Sequence, residues 1–237
     1  TNMLDKEGTD GLETSPLDVE VNGTPMSVLL GQAVKLKSAQ EKPLRKVFDS
    51  FPTFYQNSLF SGQDVVDIRA LGFEERLEAA DKLKVLGNSL AKDGKYVESV
   101  NQYEMALSAI TWIGNKKNHS WKSEGIKDDF IEEKHDAALA IDQPSNETQK
   151  LQKLQVTEHL ISVYNNIAIV STKTEQFTNA IAACTCALRL DERNVKALYL
   201  RSKARFTPKS CSVAEEEMAI RDLMAARKID PQNKTVA

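Results

Sequence analysis

From Phe73 onward, apolar residues return with the 3.6-residue period of an amphipathic helix. Leu77, Ala80, Leu83, Leu86, Gly87 and Leu90 fall on one stripe. Asp93-Gly-Lys95 interrupts it, and Tyr96, Val100, Tyr103, Ala106 and Leu107 begin a second. This pattern predicts two helices joined by a tight turn, an αα-hairpin. A lone hairpin leaves its apolar face uncovered, so further copies are expected.

Two more copies follow. Tyr164-Asn-Asn-Ile-Ala168, Gln176-Phe177, Ala180-Ile181, Cys184 and Ala187-Leu188 form one, and Ala197-Leu-Tyr199, Ser202, Ala219-Ile220, Leu223, Ala226 and Asp230-Pro231 the other. Small residues at Gly87, Ala168 and Ser202 allow the first helix of each pair to approach its partner closely. Tyr96 and Phe177 plug the turns, Ala106, Ala187 and Ala226 relieve crowding at the next repeat, and Pro231 stops the last helix. The spacing fits the 34-residue tetratricopeptide pattern. The prediction is an all-α superhelix with repeats over 80–113, 151–194 and 195–237, its C-terminal helix ending near the last repeat.

Residues 114–150 are extra. They carry Trp121, close after Trp112, the charged run Lys127–Lys134 and the breaker Pro144-Ser-Asn146. An overlong second helix, a loop and an overlong third helix opening near Thr148 are expected, with Glu132–His135 on a solvated helix face. Thr207-Pro-Lys-Ser210 lengthens the turn of the third repeat. Upstream, residues 1–45 read as a polar, loosely ordered segment. Residues 46–75 form an aromatic-rich leading segment whose Phe48, Phe51, Phe54 and Tyr55 either pad the first repeat or make a docking surface.

Composition removes several function classes. The 31 Lys and Arg against 34 Asp and Glu leave a formal charge of -3, without the basic excess of a nucleic-acid binder. No apolar run reaches the ~20 residues of a membrane helix. Cys184, Cys186 and Cys211 imply no disulfide framework, which points to a reducing cytoplasm or nucleus. His119, His135 and His159 lack metal-ligand spacing, and no phosphate-cradling glycine loop occurs. No catalytic, metal or cofactor site is therefore expected. The Asn118 and Asn146 sequons matter only in a secreted chain. Because the chain begins with Thr1, an upstream domain is left open.

The repeats resemble those of the Hsp90/Hsp70-binding tetratricopeptide co-chaperones. They are most similar to the repeat domain of the large immunophilins (FKBP-type peptidyl-prolyl isomerases) and their aryl-hydrocarbon-receptor-interacting relatives. The resemblance covers about residues 76–237 and rests on Lys84-Val-Leu-Gly-Asn88, Asn166, Asn194-Val-Lys-Ala-Leu-Tyr199 and the long first-to-second repeat connection. It implies a carboxylate clamp for the acidic C-terminal peptide of a chaperone. Lys84 and Asn88 match its first pair, Asn166 its second-repeat Asn and Lys196 its third-repeat Lys. Leu200 stands where a last basic residue belongs. Lys203 returns to the face of Lys196 within about 20° and can partly replace that charge, whereas Arg201 points elsewhere.

The clamp is sensible chemistry in its own right. Lys84 and Asn88 are i and i+4 and share a helix face. Ammonium and amide groups converging in a groove suit a carboxylate through charge-assisted hydrogen bonds. Three roles stay open: a co-chaperone adaptor for Hsp90 or Hsp70, a scaffold using the groove or Trp112/Trp121 for another partner, and the C-terminal module of a longer isomerase.

Overall fold

The structure, a computed structural model, describes residues 19–41, 45–116 and 119–233. The chain divides into two compact units, 1–46 and 47–237. In the first, β1 (Glu20–Val21) and β2 (Thr24–Pro25) pair antiparallel around Asn22-Gly23, both residues at positive φ as a tight hairpin turn requires. α1 (Met26–Glu41) follows, so the apolar run Met26–Leu30 opens a helix where a loose segment was expected. The first 18 residues of that segment and Asn118 lie outside the described residues.

The second unit opens within α2 (Lys46–Ser50) and continues with α3 (Thr53–Gln56), a 3-10 turn over Asn57–Phe60, and α4 (Gln63–Ala70). Phe48, Phe54 and Tyr55 are buried, and the Phe54 ring lies 6.0 Å from that of Tyr164. Burying each such side chain is worth roughly 1.5–3 kcal/mol. These aromatics therefore pad the repeats.

The first repeat is α5 (Phe73–Lys92) with α6 (Tyr96–Ser108). Ala80 and Gly87 are buried between them, while Leu86 is exposed at the edge of its stripe. A Cβ at Gly87 would lie 2.5 Å from Tyr103 Cε1, so this glycine admits the Tyr103 ring. Ser99 Oγ donates to Gly87 O at 2.8 Å, closing the contact.

The insertion departs from expectation. The second helix stops at Ser108, and β3 (Thr111–Asn115) pairs antiparallel with β4 (Ile131–His135), between α7 (Trp121–Glu124) and α8 (Ala137–Ala140) in the same segment. Glu132–His135 is thus a strand, not a helix face. A 15-residue connection, 116–130, joins the strands, so no two-residue turn was needed and no hairpin signal marked the sequence. Ser58 Oγ accepts from Ile113 N, Arg69 lies 4.5 Å over the Trp112 ring, and Trp121 packs edge-on against Phe60. Both tryptophans hold the insertion against residues 46–75.

α9 (Glu147–Lys173) is the expected overlong third helix, started by Asn146 Oδ1 accepting from Gln149 N. With α10 (Phe177–Leu190) it forms the second repeat, and α11 (Val195–Phe206) with α12 (Val213–Ile229) the third. Repeats 1 and 2 close their turns alike. Lys95 N donates to Leu90 O and Gln176 N to Ser171 O, the six-to-one bond of a Schellman turn. The left-handed residue is Gly94 in one and Glu175, at φ 59°, in the other. In the third repeat, Arg201 donates twice to the buried Asp222 and Arg205 pairs with the same carboxylate. Arg201 does point away from the face of Lys196, into the α11–α12 contact.

Two stability outcomes follow from this packing. Gly87→Ala should lose about 1–3 kcal/mol in chemical denaturation, since the Tyr103 ring must shift. Glu175→Gly should gain roughly 0.5–1 kcal/mol, because relief of left-handed strain outweighs the added freedom of the unfolded chain.

Candidate functional site

Lys84, Asn88 and Lys92 recur at four-residue spacing along α5. α9 packs beside α5 and brings Asn166 to Asn88, with Asn166 Nδ2 donating to Asn88 Oδ1 at 2.9 Å. The Tyr103 hydroxyl donates to the same oxygen at 2.8 Å. Two donors fix the amide orientation and leave Asn88 Nδ2 free to donate. Asn88, Lys92, Tyr103, Asn166 and Ile169 line an open hollow of about 240 Å3.

Lys84 is held from below. Its Nζ lies 2.5 Å from Asp81 Oδ1, and buried His159 donates from Nδ1 to the same oxygen at 2.7 Å. An ionised carboxylate only accepts, so the His159 proton sits on Nδ1. The His159 hydrogen bond, aided by Lys84 and opposed by partial burial, holds the Asp81 carboxyl down to about 2. Asp81 thus positions Lys84 and offsets part of its charge.

Lys196 and Lys203 are both exposed on one face of α11, two turns apart, and neither has an ion-pair partner among the described residues. Leu200, between them, packs into the apolar core and supplies no charge. The structure therefore joins Asn88 and Asn166 directly, sets Lys84 one turn away, and leaves Lys196 and Lys203 as free cations on the third repeat.

Sequence reasoning missed Lys92, Asp81, His159 and the hydroxyl role of Tyr103. The i+4 step from Asn88 could have flagged Lys92, and the i−3 step from Lys84 could have flagged Asp81. Nothing local links His159 to α5. Among the described residues no cluster of potential metal ligands occurs, and no helix is long and apolar enough to cross a membrane.

No protein-family model matches the chain. It is similar to the peptidyl-prolyl cis-trans isomerase FKBP42 of Arabidopsis thaliana, 32% identical over 167 residues, or 69% of this chain and 35% of that protein. The human isomerase FKBP4 is 27% identical over 180 residues, covering 76% of this chain and 31% of that protein. The chain therefore spans about a third of the curated relatives it matches. Among solved structures it resembles the C-terminal TPR-containing domain of a Plasmodium falciparum FK506-binding protein, at 20% identity and a TM-score of 0.49, over 71% of this chain and 88% of that one. The resemblance to FKBP-type immunophilins that the repeats carry is thus matched by relatives of that kind.

The acid limb of stability should report the Asp81 contact. A carboxyl lowered from 3.8 to about 2 stabilises the fold fully above pH 3.8, and that stabilisation is lost as pH falls toward 2. Asp81→Asn should flatten this part of the profile in denaturation measured against pH. The change should be small, because Asp81 is half exposed and screened by solvent.

Proposed function

We propose that this chain, a relative of FKBP-type immunophilins, is a protein-interaction module that binds the acidic C-terminal peptide of Hsp90 or Hsp70. The observation that carries this reading is the Asn88–Asn166 hydrogen bond. It brings an amide donor from each of two repeats to one hollow, with Lys84 and Lys92 on the same helix face. A terminal carboxylate would receive hydrogen bonds from Asn88 and Asn166 and charge from Lys84. Lys196 and Lys203, free on α11, would meet a second carboxylate further along the peptide. Charge-assisted bonds of this kind are about twice as strong as neutral ones. The grip is therefore local in a protein of formal charge -3.

A second reading is favoured by the names of the relatives and by the third of their length that the chain spans. In it, this chain is the non-catalytic binding part of a longer peptidyl-prolyl isomerase. The two readings are compatible, and both go with a cytoplasmic or nuclear location, where the three free cysteines stay reduced.

Calorimetry with a chaperone C-terminal peptide tests the clamp. Amidating the peptide's terminus should weaken binding at least about tenfold, or about 1.4 kcal/mol. Lys84→Ala and Asn166→Ala should each do the same, and Lys203→Ala should weaken it several-fold. Binding indifferent to amidation would sink the clamp and favour a scaffold for another partner. A Lys203→Ala variant with unchanged affinity, beside a dead Lys196→Ala, would remove Lys203 from the site.

A further inference from the structure

A second concavity of about 200 Å3 lies where the insertion meets the repeats. Phe51, Pro52 and Tyr55 form one side, β3, β4 and α8 supply Thr111, Glu133, His135 and Leu139, and α9 and α10 close it. The Phe51 and Tyr55 rings stack at 5.6 Å. The polar groups are built in. The Tyr55 hydroxyl bonds Thr111 Oγ1, which in turn lies 2.8 Å from His135 Nδ1.

Tyr164 is different. Its side chain is only 5% exposed and lines the cleft, yet its hydroxyl makes no hydrogen bond among the described residues. Burial raises its phenol, and the Cys186 thiol too, so both stay neutral. The hydroxyl belongs to the cleft lining, so an acceptor atom of a ligand can take its hydrogen bond in place of water. At the mouth stand two exposed charges, Glu133 on β4 and Arg189 on α10, neither in an ion pair among the described residues.

We propose that this cleft docks an extended partner segment, seating one bulky apolar side chain between Phe51, Tyr55 and Tyr164, with a cation at Glu133 and an anion at Arg189. The volume suits one side chain, and the aromatic walls suit an apolar one. Opposite, unpaired charges on two different elements call for a segment with a cationic residue on one side of its anchor and an anionic residue on the other. The Tyr164 hydroxyl donates to a backbone carbonyl of that segment. This surface is separate from the Asn88–Asn166 hollow and does not rest on the chaperone reading.

Fluorescence anisotropy on the full chain tests it, using acetylated and amidated peptides containing Lys-Ala-Phe-Ala-Asp or the reverse order. With both termini blocked, the clamp chemistry is not read. One order should bind roughly tenfold tighter, and replacing the peptide's Phe by Gly should abolish binding. The double variant E133K/R189E, at two exposed positions, should prefer the opposite order. Tyr164→Phe should weaken binding several-fold with its melting unchanged, and Asn88→Ala should leave it intact. If neither order binds, or if the charge reversal leaves the preference as it was, the proposal is overturned.

Discussion

The contact between Tyr103 and the bare backbone of Gly87 supports both the fold and the candidate groove. A single carbon added at position 87 would sit 2.5 Å from the Tyr103 ring, so any other residue type forces that ring to move. That approach packs α6 onto α5 and so sets the angle at which α9 stacks on the first repeat. The same ring carries a hydroxyl to Asn88, whose amide it orients together with Asn166. Packing and recognition thus share one side chain. In a repeat protein each unit contacts mainly its neighbours, so an error at this first interface would pass to the next.

The insertion is tied down by a different force. Arg76, at the start of α5, pairs with the buried Asp136 at the end of β4 and also donates to Leu71 O at 2.7 Å. Asp136 in turn accepts from Ala138 N and starts α8. A buried pair like this contributes little net energy, but removing one member leaves a charge stranded, at about 3–5 kcal/mol. Its service is therefore to fix position. With Trp112 and Trp121 packed inward, it sets the hairpin beside α9 and α10 and so creates the cleft around Tyr164.

Charge in this protein is arranged locally, and its lysines differ in state. Lys84 shares Asp81 with His159, whereas Lys196 and Lys203 have no such partner among the described residues. An incoming carboxylate would compete with Asp81 for Lys84 but meet Lys196 without a rival. Arg201 and Arg205, also on α11, are both committed to Asp222 and hold the third repeat closed. Position along a helix thus decides whether a cation stabilises the fold or stays available.

How much of this was legible in the sequence depended on the range of the interaction. Helix period, small residues at Gly87, Ala168 and Ser202, and the caps at Asn146 and Asn194 are local, so the three hairpins and the start of α9 could be read directly. Lys84 and Asn88 share a face for the same reason. The strand pairing of 111–115 with 131–135 could not be read, because its register comes from backbone bonds across a 15-residue connection and its charged exposed face mimics a helix. Nor could the Asn88–Asn166 bond or the Asp81–His159 contact, each spanning 78 residues. The sequence by itself determined which helices form and which polar residues share a helix face. Only the stacking of those helices decided which of the residues meet, because that requires backbone separations no local pattern encodes.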